Sequence, residues 1–185
     1  MKPAIAASSK TRRTGKAPCP AAERRDQVDN FRAAWARELP DVDTEGMAII
    51  GRARRITLKL RDGIEAIFAS HGIEAGEFDV LGTLLRAGRP YRLRPTELYR
   101  SLMVSSGGLT NRLTRLEKAS LIRRAPAAED GRSLLVELTP AGRRLAERAF
   151  REDMAHEKAV LQSLSAGERR QLAGLLRKLS LALEA

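Results

Sequence analysis

Asn111 and Arg115 stand four residues apart in a stretch, residues 105–119, whose apolar members repeat at helical spacing. Asparagine and arginine are the side chains suited to bidentate readout of adenine and guanine edges in the major groove of DNA. At ~100° per residue, Leu109, Leu113 and Leu116 fall within about 60° of arc and define a buried face. The opposite side then presents Gly107, Asn111, Thr114, Arg115 and Lys118, with Ser106 and Thr110 beside them. The pair Gly107-Gly108 weakens a helix but lets backbone approach a phosphate closely. An ordinary surface helix of a bundle is the plainer reading, and it leaves the basic hairpin that follows unexplained.

Charge is concentrated where that helix lies. The net charge is +11, yet residues 21–88 and 133–185 together balance, with nineteen residues of each sign. Residues 89–132 hold ten basic residues against four acidic ones, and residues 1–20 hold five basic residues and no acidic one. Clustering of this kind is the footprint of a polyanion-binding module, because each neutralised phosphate releases condensed counterions. On charge alone a solvated basic face is the favoured reading.

The elements that must position this helix follow from periodicity and caps. Residues 1–20, rich in proline, small residues and cations, are expected to be disordered, with Cys19 inert among them. A helix over 21–38 places Val28, Phe31 and Trp35 on one face. Leu39-Pro40 ends it, and Asp43 or Thr44 caps a long helix to about Ser70. A third helix covers 76–87, and Gly88-Arg89-Pro90 is a turn. Pro95 opens a short helix over 95–103, and Ser105 or Ser106 is a plausible cap for the helix to Ala119. Strand-like residues 121–124 and 134–138 flank the hairpin signal Asp130-Gly131. Thr139-Pro140 opens a helix to about Leu164, and Ser165-Ala-Gly-Glu168 reads as a capping box for a last helix ending near Leu183.

Helix, short connection, helix and basic hairpin make the order of a winged helix-turn-helix. The expected organisation is a basic tail (1–20), scaffold helices (21–71), a DNA-binding lobe (72–139) and C-terminal dimerisation helices (140–185). The fold class is mainly α with a small β-wing, dimeric through its N- and C-terminal helices.

The run Leu116-Glu-Lys-Ala-Ser-Leu-Ile-Arg-Arg124, then Glu129-Asp130-Gly131-Arg132-Ser133 and Leu138-Thr-Pro-Ala-Gly142, resembles the MarR family of bacterial regulators. The resemblance covers about residues 44–183. It implies an obligate homodimer on a pseudo-palindromic operator in double-stranded DNA, with helix 105–119 in a major groove. The wing, led by Arg132, would enter an adjacent minor groove, and Asp130 would orient that arginine.

An added N-terminal helix bearing Trp35, together with Glu77-Phe78-Asp79 and Asn111-Arg112, resembles the urate-responsive branch of the family. That resemblance implies a small-molecule effector, a purine stacked near Trp35, held by Arg112 and repelled by Asp79. The helical wheel adds that Arg112 lies only ~60° from the core centre, facing the scaffold more than the DNA. Each residue has a second reading: Trp35 as an interface anchor, Asp79 as a helix-start carboxylate favoured by the dipole, Arg112 as a phosphate contact. Two functional alternatives also stand. One is a MarR-type regulator of another ligand, phenolic or antibiotic; the other is an architectural DNA binder without sequence preference.

No apolar run approaches the ~18 residues that span a bilayer, the N-terminal apolar patch is too brief for a secretory signal, and a cytoplasmic location is expected. His71 and His156, without nearby cysteine, make no metal site. Walker A, dinucleotide and nucleophile-elbow motifs are absent from the sequence. No enzymatic activity and no cofactor are expected.

Overall fold

Asp26 and Asp29 close a reciprocal cap at the start of α1 (Gln27–Glu38): the Asp29 N–H donates to Asp26 at 2.9 Å, and the Asp26 N–H to Asp29 at 3.0 Å. This cap starts the helix at Gln27, whereas the sequence reading begins it at about 21. Arg52 bridges both carboxylates at 2.8 and 2.6 Å. Its hydrogen bond is the main reason the Asp26 carboxyl is held down at about 2.

The computed structural model describes residues 24–102, 108–126 and 134–184. The chain divides into two compact units, Met1–Ile56 and Thr57–Ala185. In the first, the Asp43 carboxylate accepts from the Glu45 N–H at 2.8 Å, as a cap should. A π-helical turn, Met47–Gly51, then runs into α2 (Arg52–Ser70). Val28 is buried, whereas Phe31, Trp35, Ile49, Ile50 and Ile56 are exposed.

The second unit follows the expected order. After α2 come α3 (Ala75–Arg86), β1 (Arg92–Leu93), α4 (Pro95–Ser101), α5 (Leu109–Lys118), β2 (Ile122–Pro126) and β3 (Leu134–Leu138). The chain ends with α6 (Pro140–Val160), a 3-10 turn at Leu161–Ser163, and α7 (Ala166–Glu184). Val80, Leu81, Leu84, Leu98, Leu116, Ile122 and Val136 form the fully buried centre, and Phe68 stacks on Phe78 with ring centroids 4.2 Å apart.

β2 and β3 pair antiparallel from Ile122↔Leu138 to Pro126↔Leu134, the two strands of the expected hairpin. The sheet has a third member that the sequence did not announce. β1 lies on the far side of β3, with Arg92 opposite Glu137 and Leu93 opposite Val136, giving the order β1-β3-β2. Gly88 and Tyr91, both at positive φ, turn the chain into it, and the Leu138 N–H donates to the Tyr91 carbonyl at 3.0 Å.

Thr139 caps α6 by accepting from the Gly142 N–H at 3.0 Å, with Pro140 at the first helical position. α6 stops at Val160, short of the expected 164, because the 3-10 turn tightens its end. Ser165 and Glu168 then cap α7 reciprocally, at 2.7 and 3.3 Å. No described residue of α7 is buried. Among the described residues, no helix is long and apolar enough to cross a membrane.

One buried group costs stability. Asp153 on α6 is 7% exposed, and its Oδ1 accepts no hydrogen bond. Nε2 of His156, one turn on, is likewise buried and unpartnered, packed against Gly63 of α2. Burial pushes the Asp153 carboxyl above its ordinary 3.8, and His156 only partly opposes this. The native state thus holds this proton more tightly than the unfolded chain, so the site favours folding at low pH and opposes it once ionised. Asp153→Asn should therefore raise the melting temperature at pH 7 by about 2–4 °C. The gain should shrink as pH falls towards 4. A variant no more stable than the parent at pH 7 would show that the burial penalty is not felt.

Candidate nucleic-acid interface

α4 is fixed first. Pro95 occupies its first position, the Glu97 carboxylate accepts from the Arg94 N–H at 2.8 Å, and Leu98 is fully buried beneath it. α5 begins after Gly108, whose φ of 78° is the left-handed region that glycine adopts without strain. Gly108 therefore stands at the N-cap, where the sequence had suggested Ser105 or Ser106. Leu113 and Leu116 are buried and Leu109 is half-buried, which is the inward face expected from the wheel.

Thr110, Asn111, Thr114 and Lys118 are all exposed, on the outer side of α5. The Thr114 hydroxyl donates to the Thr110 carbonyl at 2.9 Å, which commits its proton and leaves its oxygen to accept. Tyr99 and Arg100 of α4, neither singled out by the sequence, join Gly108, Thr110 and Asn111 in lining one surface groove. Ser106, Gly107, Asp130 and Arg132 lie outside the described residues, as do Cys19 and the basic tail. At the base of the wing Arg123 pairs with Glu137 at 2.9 Å and Arg124 with Glu117 at 3.4 Å.

Arg115 departs from expectation. Helix phase placed it among the groove-facing residues, but its side chain turns back onto the first turn of α3. Its Nε donates to Glu77 at 2.7 Å and its terminal nitrogen to Glu74 at 2.7 Å. Glu77 is 6% exposed, and its other oxygen accepts from the Glu74 N–H at 2.8 Å. One carboxylate thus caps α3 and holds α5. The sequence carried a signal for this, two carboxylates three apart at a helix start, but no indication of what they would face.

Arg112 is half-buried and rests on the same turn of α3: a Cβ at Gly76 would come within 2.6 Å of its Nε. Asp79, buried, is three residues beyond Gly76 and so shares its side of the helix. Arg112 thus leans inward, as its helix phase implied, but onto α3 of the DNA-binding lobe, next to the turn of α3 that carries Asp79. Trp35 belongs to the N-terminal unit, where it is 49% exposed on α1.

A helix-turn-helix followed by a small antiparallel wing, with polar residues outward on its second helix, defines a winged-helix DNA-binding protein. Comparison with known proteins narrows the class. A model described as the MarR family matches residues 71–133. The chain is 36% identical over 150 residues to the HTH-type transcriptional regulator PecS of Dickeya dadantii (strain 3937), covering 81% of this chain and 90% of that protein. It is 27% identical over 134 residues to the HTH-type transcriptional repressor YetL of Bacillus subtilis (strain 168), covering 72% and 80% respectively. The crystal structure of Sco5413, a MarR family transcriptional regulator from Streptomyces coelicolor, superposes with a TM-score of 0.64 at 25% identity, covering 77% of this chain and 97% of that one. The chain belongs to the MarR family of transcriptional regulators, and is a regulator rather than an enzyme.

Proposed function

We propose that the chain is a homodimeric repressor that binds a pseudo-palindromic operator and is released from it by a small anionic purine such as urate or xanthine. Each α5 would enter a major groove, with half-site centres about one helical turn, ~10 bp, apart. Thr110, Asn111, Thr114 and Lys118 are the described residues proposed to meet DNA, joined by Ser106, Gly107 and, in the wing, Arg132 steadied by Asp130. The fold of the S. aureus MepR–DNA complex is shared, with a TM-score of 0.64 at 22% identity.

The observation that carries the purine reading is the position of Arg112. It turns off the outer side of the recognition helix and lies on the first turn of α3, next to the turn that carries Asp79. An anionic purine desolvated there would gain a charge-assisted hydrogen bond from Arg112. The same anion would be repelled by Asp79. One occupant thus pulls on α5 and pushes on α3, which is the differential contact a ligand needs to shift an equilibrium. Resemblance to the urate-responsive branch, and that alone, adds Trp35 as the residue on which the ring would stack.

The test is a shift assay on the chain's own upstream DNA, titrated with urate, xanthine and salicylate. Urate or xanthine should release the complex and quench Trp35, the sole tryptophan of the chain. Release by salicylate alone would assign a phenolic effector. Absence of a footprint on any palindrome would favour architectural binding.

A further inference from the structure

We infer that Glu77 is the positioning residue of the recognition helix, and that Arg115 acts as its partner rather than as a reader of bases. The inference rests on the DNA-binding reading above but not on the purine.

Three charge-assisted hydrogen bonds meet at the start of α3. Glu77 takes the Nε of Arg115 at 2.7 Å and the Glu74 backbone N–H at 2.8 Å, while Glu74 takes the terminal nitrogen of Arg115 at 2.7 Å. The Arg115 fork therefore has two of its donor directions fixed before DNA arrives. A planar guanidinium so held is rigid in a way an ammonium is not. One turn earlier on α5, the guanidinium of Arg112 packs over Gly76, so that a side chain there would displace it. Two arginines three residues apart thus seat α5 on a single turn of α3.

The consequence is geometric. α5 has only ten residues, and its inward leucines form one narrow stripe, which fixes depth better than roll. The Glu77–Arg115 pair holds α5 from a point well away from that stripe and so resists roll. Roll decides whether Asn111 and Thr114 meet base edges or phosphates. The exposed side chain of Glu74 adds a weaker, solvent-screened tether.

The opposite account makes Arg115 a base reader that the carboxylates withhold until DNA competes for it. The two accounts predict opposite signs. Glu77→Gln removes a negative charge near DNA and half of Arg115's hold. If Glu77 positions α5, Glu77→Gln should weaken operator binding at least tenfold while leaving random-sequence binding unchanged or tighter. Arg115→Lys keeps the charge but loses the fork, and should weaken the operator similarly with an unchanged salt slope. Glu74→Gln should cost no more than about threefold.

The experiment measures fluorescence anisotropy of the full chain on a duplex carrying the footprinted site and on a scrambled duplex, with melting curves alongside. Tighter operator binding by Glu77→Gln would overturn the inference and restore Arg115 as a reader. So would additive losses for Glu77→Gln and Arg115→Gln in a double-mutant cycle. If Glu77→Gln melts too early to assay, Arg115→Lys decides, and wild-type affinity there overturns the inference. A chain that footprints nothing would sink the regulator reading itself, a separate failure.

Discussion

Gly142→Ala is expected to lower the melting temperature by about 6–12 °C, through overpacking of about 3 kcal/mol. α6 begins where the chain leaves β3, and its first turn crosses the backbone of Leu121 at the entrance to β2. Thr139 knits this crossing. Its N–H donates to the Leu121 carbonyl at 3.1 Å, and its hydroxyl donates to the Ser120 carbonyl at 2.8 Å while accepting from Gly142. A methyl group on residue 142 would overlap the Leu121 carbonyl oxygen, and the next atoms it meets are also backbone. No side chain can swing away. Either the helix start or the strand must shift, and Ile122 and Ala146 on either side are buried. Gly46→Ala is the matched control, since Gly46 has helical dihedrals and nothing within 4 Å; that variant should be neutral or slightly stabilised. Thermal unfolding of both variants checks the claim. A Gly142→Ala chain melting within about 2 °C of the parent would mean that this crossing is far looser than its geometry.

Deleting residues 165–185 should convert the protein to a monomer at micromolar concentration and weaken operator binding by about a hundredfold or more. α7 carries Leu172, Leu175, Leu176 and Leu179 on one stripe, and every one of them is exposed, Leu175 by 59%. A helix of this kind draws its stability from covering its apolar face. Each leucine so covered contributes about 1.5–3 kcal/mol. The second copy is the cover proposed. With it gone, one half-site must be held without the other, and the effective concentration that linkage supplies is lost. Light scattering on the truncated chain reads the mass, and anisotropy reads the affinity. A truncated chain that remains dimeric and binds normally would move the interface elsewhere.

What the sequence made legible was whatever local chemistry dictates. Thr139-Pro140 and Ser165 with Glu168 announced two helix starts, and each forms the hydrogen bonds its cap requires. The leucine spacing of α5 gave the buried face and the inward lean of Arg112. What stayed hidden depends on partners far along the chain. β1 is two residues long, too short to show alternation, and exists because β3 passes some forty residues later. The seat of Arg115 was invisible because helix phase fixes where a Cβ points, whereas a long side chain ends wherever a buried carboxylate draws it. Glu77 could not be told from a solvated carboxylate without knowing what packs against α3. α1 starts at Gln27, later than expected, because the aspartate pair caps it there, just ahead of Val28, the first member of its apolar stripe.

The place of β1 in the sheet bears on how such proteins diversify. Arg92 and Leu93 lie beside Glu137 and Val136, so the chain departs after α3 and comes back towards α6 through a doorway a few ångströms wide. Everything between, α4, α5 and the wing, is one closed excursion. Its interior can be rewritten for a new sequence of bases, provided that the doorway keeps its pairing, Leu98, Leu113 and Leu116 keep their seats, and α5 keeps its hold on Glu77 of α3. The reading head is in that sense an interchangeable cassette, whose boundaries are drawn by hydrogen bonds rather than by a linker.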